Sequence, residues 1–150
     1  MLPVLAVVST TSVGLLVGVE FAVAVVVHPI LRRLPVAASI AGRAHGARML
    51  GRVMPFWYIG STVLVAALAV LTWGSTTAVV ALVAIGLLLL SVVLSVALLV
   101  PINNQATQWT AESLPENWRE LQQRWDRLHT ARVGIIVVAL VLVTVATTTL

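Results

Sequence analysis

The sequence predicts an all-α fold: an integral membrane four-helix bundle with both termini outside. Cytoplasmic amphipathic extensions are expected before helices two and four. Three observations lead there. The 150 residues are 60% hydrophobic and only 9% charged, against roughly 25% charged in a soluble domain. Four apolar runs, residues 4–27, 53–73, 78–102 and 133–150, approach the roughly 20 residues that a span requires. The connections between them differ sharply in charge.

The first run holds Val, Leu and Ala without alternation or turn residues, which reads as helix despite its Val content. Ala22-Val23-Ala24 imitates a signal-peptidase site. No basic segment precedes it and the apolar stretch is long, so a retained helix is expected. Gly14 and Gly18 permit close helix packing. His28-Pro29 is expected to end the helix, because a residue before Pro is pushed out of the α region. Pro35 can open the next helix, which carries His45, and Pro55 can start or kink the second span. Gly74-Ser75-Thr76-Thr77 is an uncharged turn. Pro101 is expected to stop or kink helix three and bring Asn103 and Asn104 to the cytoplasmic surface. Ser113 as N-cap and Glu116 three residues on would begin helix four near Glu116. The whole chain, 1–150, reads as one domain.

Charge sets the orientation. Arg32, Arg33, Arg43, Arg48 and Arg52 lie between runs one and two; Arg119, Arg124, Arg127 and Arg132 lie between runs three and four. The positive-inside rule places both segments in the cytoplasm of a bacterial-type plasma membrane. Nine Arg against five acids then means contact with anionic headgroups rather than nucleic acid. The absence of Cys excludes disulfides, thiolate metal sites and thiol catalysis. No phosphate loop, zinc helix or nucleophile elbow is present.

Glu20 is the one charged residue inside an apolar run. A carboxylate there needs a partner or water, not lipid. Asp126 and His129, spaced i and i+3, share a helical face and suit one metal ion. At 1.5 Å per residue, Glu20 lies about 24 Å and His129 about 31 Å from the outer ends of their runs; His28, Asp126 and Asn103 lie near 36 to 39 Å. The expected metal ligands are therefore Glu20, His45, Asp126 and His129, with His28 as a further one. Oxygen and imidazole donors favour iron first, with Mn, Zn or Cu as alternatives; haem on a single His ranks after these. Asn103, Asn104, Tyr58 and Arg132 would orient ligands or bind substrate. Arg132 can equally hold a carboxylate or snorkel to headgroups, and Asp126 can pair with a neighbouring Arg. Trp57, Tyr58, Trp109, Trp118 and Trp125 form an interfacial belt or the wall of a cavity for a flat aromatic substrate.

The chain also resembles the anthrone oxygenase-like family of small four-helix integral membrane proteins. The resemblance rests on Gly18-Val19-Glu20-Phe21 with His28-Pro29, Met54-Pro55-Phe56-Trp57-Tyr58, Val100-Pro101-Ile102-Asn103-Asn104, and the segment from Arg124-Trp125-Asp126 through His129 to Arg132. It implies oxidation of polyketide-type anthrones to anthraquinones with dioxygen. Two function classes follow. One is a membrane oxidoreductase, a metal-dependent oxygenase acting on a small or aromatic apolar substrate. The other is a non-catalytic transporter, accessory subunit or scaffold with a proton-linked carboxylate. Membrane lipids are expected partners in both.

Overall fold

The computed structural model describes residues 1–150. Four helices account for nearly all of them: α1 (Leu2–Arg33), α2 (Val36–Leu71), α3 (Thr76–Ala106) and α4 (Trp118–Thr148). Each is long and apolar enough to cross a membrane. They form a ring in which α1 and α3 each pack against both α2 and α4. The outer surface is covered with exposed Val, Leu and Ile, as lipid demands and water would penalise.

Packing is tightest in the half remote from the Arg-bearing segments. Ala81, Ala84, Ala139 and Ala146 are fully buried between α3 and α4, beside Leu88, Ile136 and Val143. Lipid tails are as apolar as Leu, so close packing of small side chains and interhelical hydrogen bonds must hold the bundle. The bonds are present: Ser12 to Ser61 at 2.9 Å, Thr10 to Thr147 at 3.2 Å and Thr77 to Thr149 at 3.2 Å. The uncharged turn before α3 uses Gly74 at φ +84°, which a side chain would strain. Ser75 then caps α3, its Oγ accepting from the Ala78 N–H at 3.3 Å.

Three prolines lie within continuous helices rather than at their ends. Pro29 does not end α1, which continues to Arg33. Pro has no N–H and its ring collides with the carbonyl four residues back. The helix resolves this by widening into a π turn over Val23–Val27, with the His28 N–H reaching the Val23 carbonyl five residues away. Pro101 is handled identically in α3: a π turn over Ser95–Leu99 precedes it, and the Val100 N–H reaches Ser95. Pro55 lies inside a continuous 36-residue α2. The extension before helix two is thus the same helix, and Pro55 costs the Gly51 carbonyl its usual donor. The start of α4 also shifts. Its N-cap is Asn117, while the Ser113 hydroxyl bonds Thr110 instead. Pro115 holds that stretch in turns, with its carbonyl accepting from Trp118.

Both π turns pack against α4. The space between them and α2 becomes the principal cavity of the molecule.

Candidate functional site

The cavity has a volume of about 550 Å³, within the range of small-molecule sites. Val23 and Val27 from the first π turn, and Ser95 and Leu99 from the second, line one side. Met54 and Tyr58 of α2 line the other. Trp125, His129 and Arg132 enter from α4. Most of the lining is apolar; its polar groups fall into an inner and an outer cluster.

Arg132 is the centre of the inner cluster. Its Nη2 donates to Glu20 Oε2, and its Nη1 donates to Ser95 Oγ at 2.8 Å and to the Tyr58 hydroxyl at 3.3 Å. Tyr58 also meets Ser91 Oγ at 3.2 Å. The Ser95 hydroxyl donates to the Ser91 carbonyl at 2.7 Å, which leaves its lone pair for Arg132. His129, only 1% exposed, places Nε2 at 3.1 Å from the Glu20 backbone carbonyl. A carbonyl only accepts, so Nε2 carries the proton. Nδ1 is then the acceptor for Arg132 Nη2 at 3.2 Å. Glu20 is buried, yet only Oε2 is engaged; Oε1 receives no hydrogen bond, in a residue that lines the cavity.

The outer cluster is built on Asp126. Arg43 grips its carboxylate with both terminal nitrogens, at 2.9 and 3.1 Å. His28 Nδ1 lies 2.7 Å from Oδ1, and the half-exposed Arg32 reaches Oδ2 at 3.4 Å. The Trp125 ring bridges the two clusters, 4.7 Å from the His28 ring and 4.6 Å from that of His129.

The expected ligands therefore do not share one centre. Glu20 and His129 lie in the inner cluster; His28 and Asp126 lie in the outer one. His45 is exposed and off the cavity, although its neighbours Gly42, Arg43, Gly46 and Ala47 line it. Asn103 borders the cavity and Asn104 is exposed on the surface. The helix continues through Pro101, and of the Asn pair only Asn103 borders the cavity. No three His, Asp or Glu side chains converge as a metal site would need. Both carboxylates are already bound to guanidinium cations, which would repel a metal ion at the same oxygens. This donor set does not fit a metal.

Sequence reasoning missed Ser91, Ser95 and the role of Arg43. The two serines stand i and i+4 in an otherwise wholly apolar run, a pattern that marks one polar stripe on α3.

The inner-cluster residues that α2, α3 and α4 contribute fall inside a match to the anthrone oxygenase family model over residues 52–142. The chain belongs to the anthrone oxygenase family. The match takes in Tyr58, Ser91, Ser95, Asn103, Asp126, His129 and Arg132; Glu20, His28, Arg43 and His45 precede it. Comparison with curated proteins finds no match, and neither does comparison with solved structures. The protein is thus a four-helix membrane protein of a family named for oxygenase activity.

Proposed function

We propose that this anthrone oxygenase family member oxygenates an apolar aromatic substrate at the inner cluster, using its own side chains rather than a metal. One observation supports this above the others. The mostly apolar cavity has an inner polar corner, where a buried guanidinium meets a carboxylate with a free oxygen and two hydroxyls. That corner suits a substrate whose reacting CH₂ is acidified by a conjugated carbonyl or phenolic oxygen, as in an anthrone.

The balance needs no external reductant. A CH₂ group becomes C=O, losing four electrons; dioxygen takes them, one oxygen atom entering the carbonyl and the other leaving as water. Glu20 Oε1 takes the first proton, and the negative charge moves to the conjugated oxygen. Arg132 and the Tyr58 hydroxyl hold that oxygen, in the manner of an oxyanion site excluded from water. His129, donating to the Glu20 carbonyl, fixes the α1 backbone at the base and orients Arg132. The electron-rich carbanion reduces dioxygen and forms the C–O bond, and Glu20 returns its proton to the distal oxygen to give a hydroperoxide. Glu20 then takes the second C–H proton as the C=O bond forms and the O–O bond breaks, and passes it to the departing hydroxide, which leaves as water.

In this reading the Arg-bearing end faces the cytoplasm, following the charge asymmetry.

The test is dioxygen uptake by detergent-purified protein with anthrone as substrate. Glu20→Gln keeps the Arg132 contact but removes the base, and should slow turnover by about 10² or more. An equally active Glu20→Gln variant, or a wild type that ignores anthrone, would sink the proposal.

A further inference from the structure

The cavity is not enclosed by the bundle. Its lining includes Ile59 and Val63 of α2 and Leu89 and Val96 of α3, whose exposures are 62%, 60%, 51% and 63%. A residue that both lines a cavity and stands on the outer surface marks an opening. These four are apolar, and all lie within the membrane-spanning runs, so the solvent at the opening is lipid. The gap has a structural cause. The π turn at Ser95–Leu99 packs on α4, leaving α2 and α3 apart at that level.

Toward the Arg-bearing end the lining turns more polar, with His28, Arg43 and Asn103 beside the exposed Gly51 and Val100. His28 and Arg43 line the cavity from within, while Asp126 and Arg43 line a separate polar pocket toward the Arg-bearing end. The His28–Asp126–Arg43 cluster is therefore the partition between the two. An apolar molecule entering from that polar pocket would have to break the ion cluster, whereas the opening between α2 and α3 presents Val, Ile and Leu.

Resting on the polar-corner reading above, we infer that the substrate is a tailed amphiphile drawn from the bilayer. Its phenolic or carbonyl head would sit at Arg132 and Tyr58. Its alkyl or isoprenoid tail would leave between α2 and α3, past Val63 and Val96, into lipid. Such a site discriminates on the head and tolerates the tail. Carbon moving from bilayer to mouth exchanges one apolar environment for another, so each added methylene contributes little affinity. A closed pocket would instead reject a long tail by overpacking.

The test uses para-alkylphenols from butyl to hexadecyl, with the full chain in lipid nanodiscs. Thermal stabilisation is compared at equal mole fraction of phenol in the bilayer, since a ligand that binds the folded state raises the unfolding midpoint. Stabilisation should be level across the series. Val96→Trp, a lipid-facing change, should leave butylphenol unaffected and weaken hexadecylphenol about tenfold by crowding the mouth. If stabilisation in the wild type vanishes beyond medium-length tails, the mouth is closed and the inference falls while the head site stands. If Val96→Trp leaves long tails unaffected, the tail does not pass there and the inference also falls. If no phenol of any length stabilises the protein, the head site falls with it.

Discussion

The two carboxylates of this bundle meet the same partners and are put to opposite uses. Glu20 and Asp126 each face an Arg and a His. Asp126 has its carboxylate filled: Arg43 binds it through two nitrogens, and His28 and Arg32 take the remaining directions. Glu20 has one oxygen held and one free. The Arg that holds it also gathers two hydroxyls, and those belong to other helices. The difference is one of satisfaction. A saturated ion cluster closes a wall, while an unsaturated one beside a cavity is left with chemistry to perform.

The comparison predicts its largest effect at Arg132. Replacing it with Met strands a buried carboxylate, and breaking such a pair costs about 3–5 kcal/mol. Turnover should fall below detection and the unfolding midpoint should drop. The Glu20→Gln, Arg132→Met double variant separates the two effects. With no charge left unpaired it should recover most of the midpoint and none of the turnover. Recovery of turnover would make Arg132 merely structural.

A smaller effect is expected at the wall. Asp126→Asn keeps the shape but frees Arg43 and His28 from their anion, for a loss of about 1–3 kcal/mol. Turnover measured below the new midpoint should stay within about tenfold of the wild type, because no reacting group contacts Asp126. A loss as deep as that of Glu20→Gln would bring the outer cluster into the chemistry and erase the distinction between the two carboxylates.

The sequence carried much of this arrangement, unevenly. The four helices were legible because a span needs a long apolar run, and nothing else in 150 residues resembles one. The proline corners were not. Whether a helix breaks or widens at Pro29 or Pro101 depends on the neighbours that hold both sides in line, here α4, and local rules see only the lost N–H. The pairing of Glu20 with Arg132 was partly visible. On the same ruler that put Glu20 at about 24 Å and His129 at about 31 Å, Arg132 falls at about 27 Å, nearer to Glu20 than His129 does. The i, i+3 pairing of Asp126 with His129 misled, since those residues differ by about 60° around the helix and by a full 4.5 Å along it. That offset sends Asp126 to Arg43 and His28 and leaves His129 with Glu20 and Arg132, the two groups touching through the Trp125 ring. Ser95 was legible only together with Ser91, as a polar stripe on α3, and nothing in the sequence says that a guanidinium faces that stripe.

The least effect should come from removing what a metal centre would have required. His45 stands on the exposed side of α2, away from both carboxylates. His45→Ala should change stability by less than about 0.5 kcal/mol, as an exposed substitution does, and leave turnover intact. Dialysis against a chelator should likewise leave dioxygen uptake unchanged, with elemental mass spectrometry finding no stoichiometric metal in either protein. The reason is electrostatic: a divalent ion at Glu20 or Asp126 must first displace a guanidinium already hydrogen-bonded there, and the displaced cation would remain within the same low-dielectric space. A metal that copurifies and disappears with His129→Ala would mean that Arg132 can swing away from Glu20. The inner cluster would then have two states, and its free oxygen would be a ligand rather than a base.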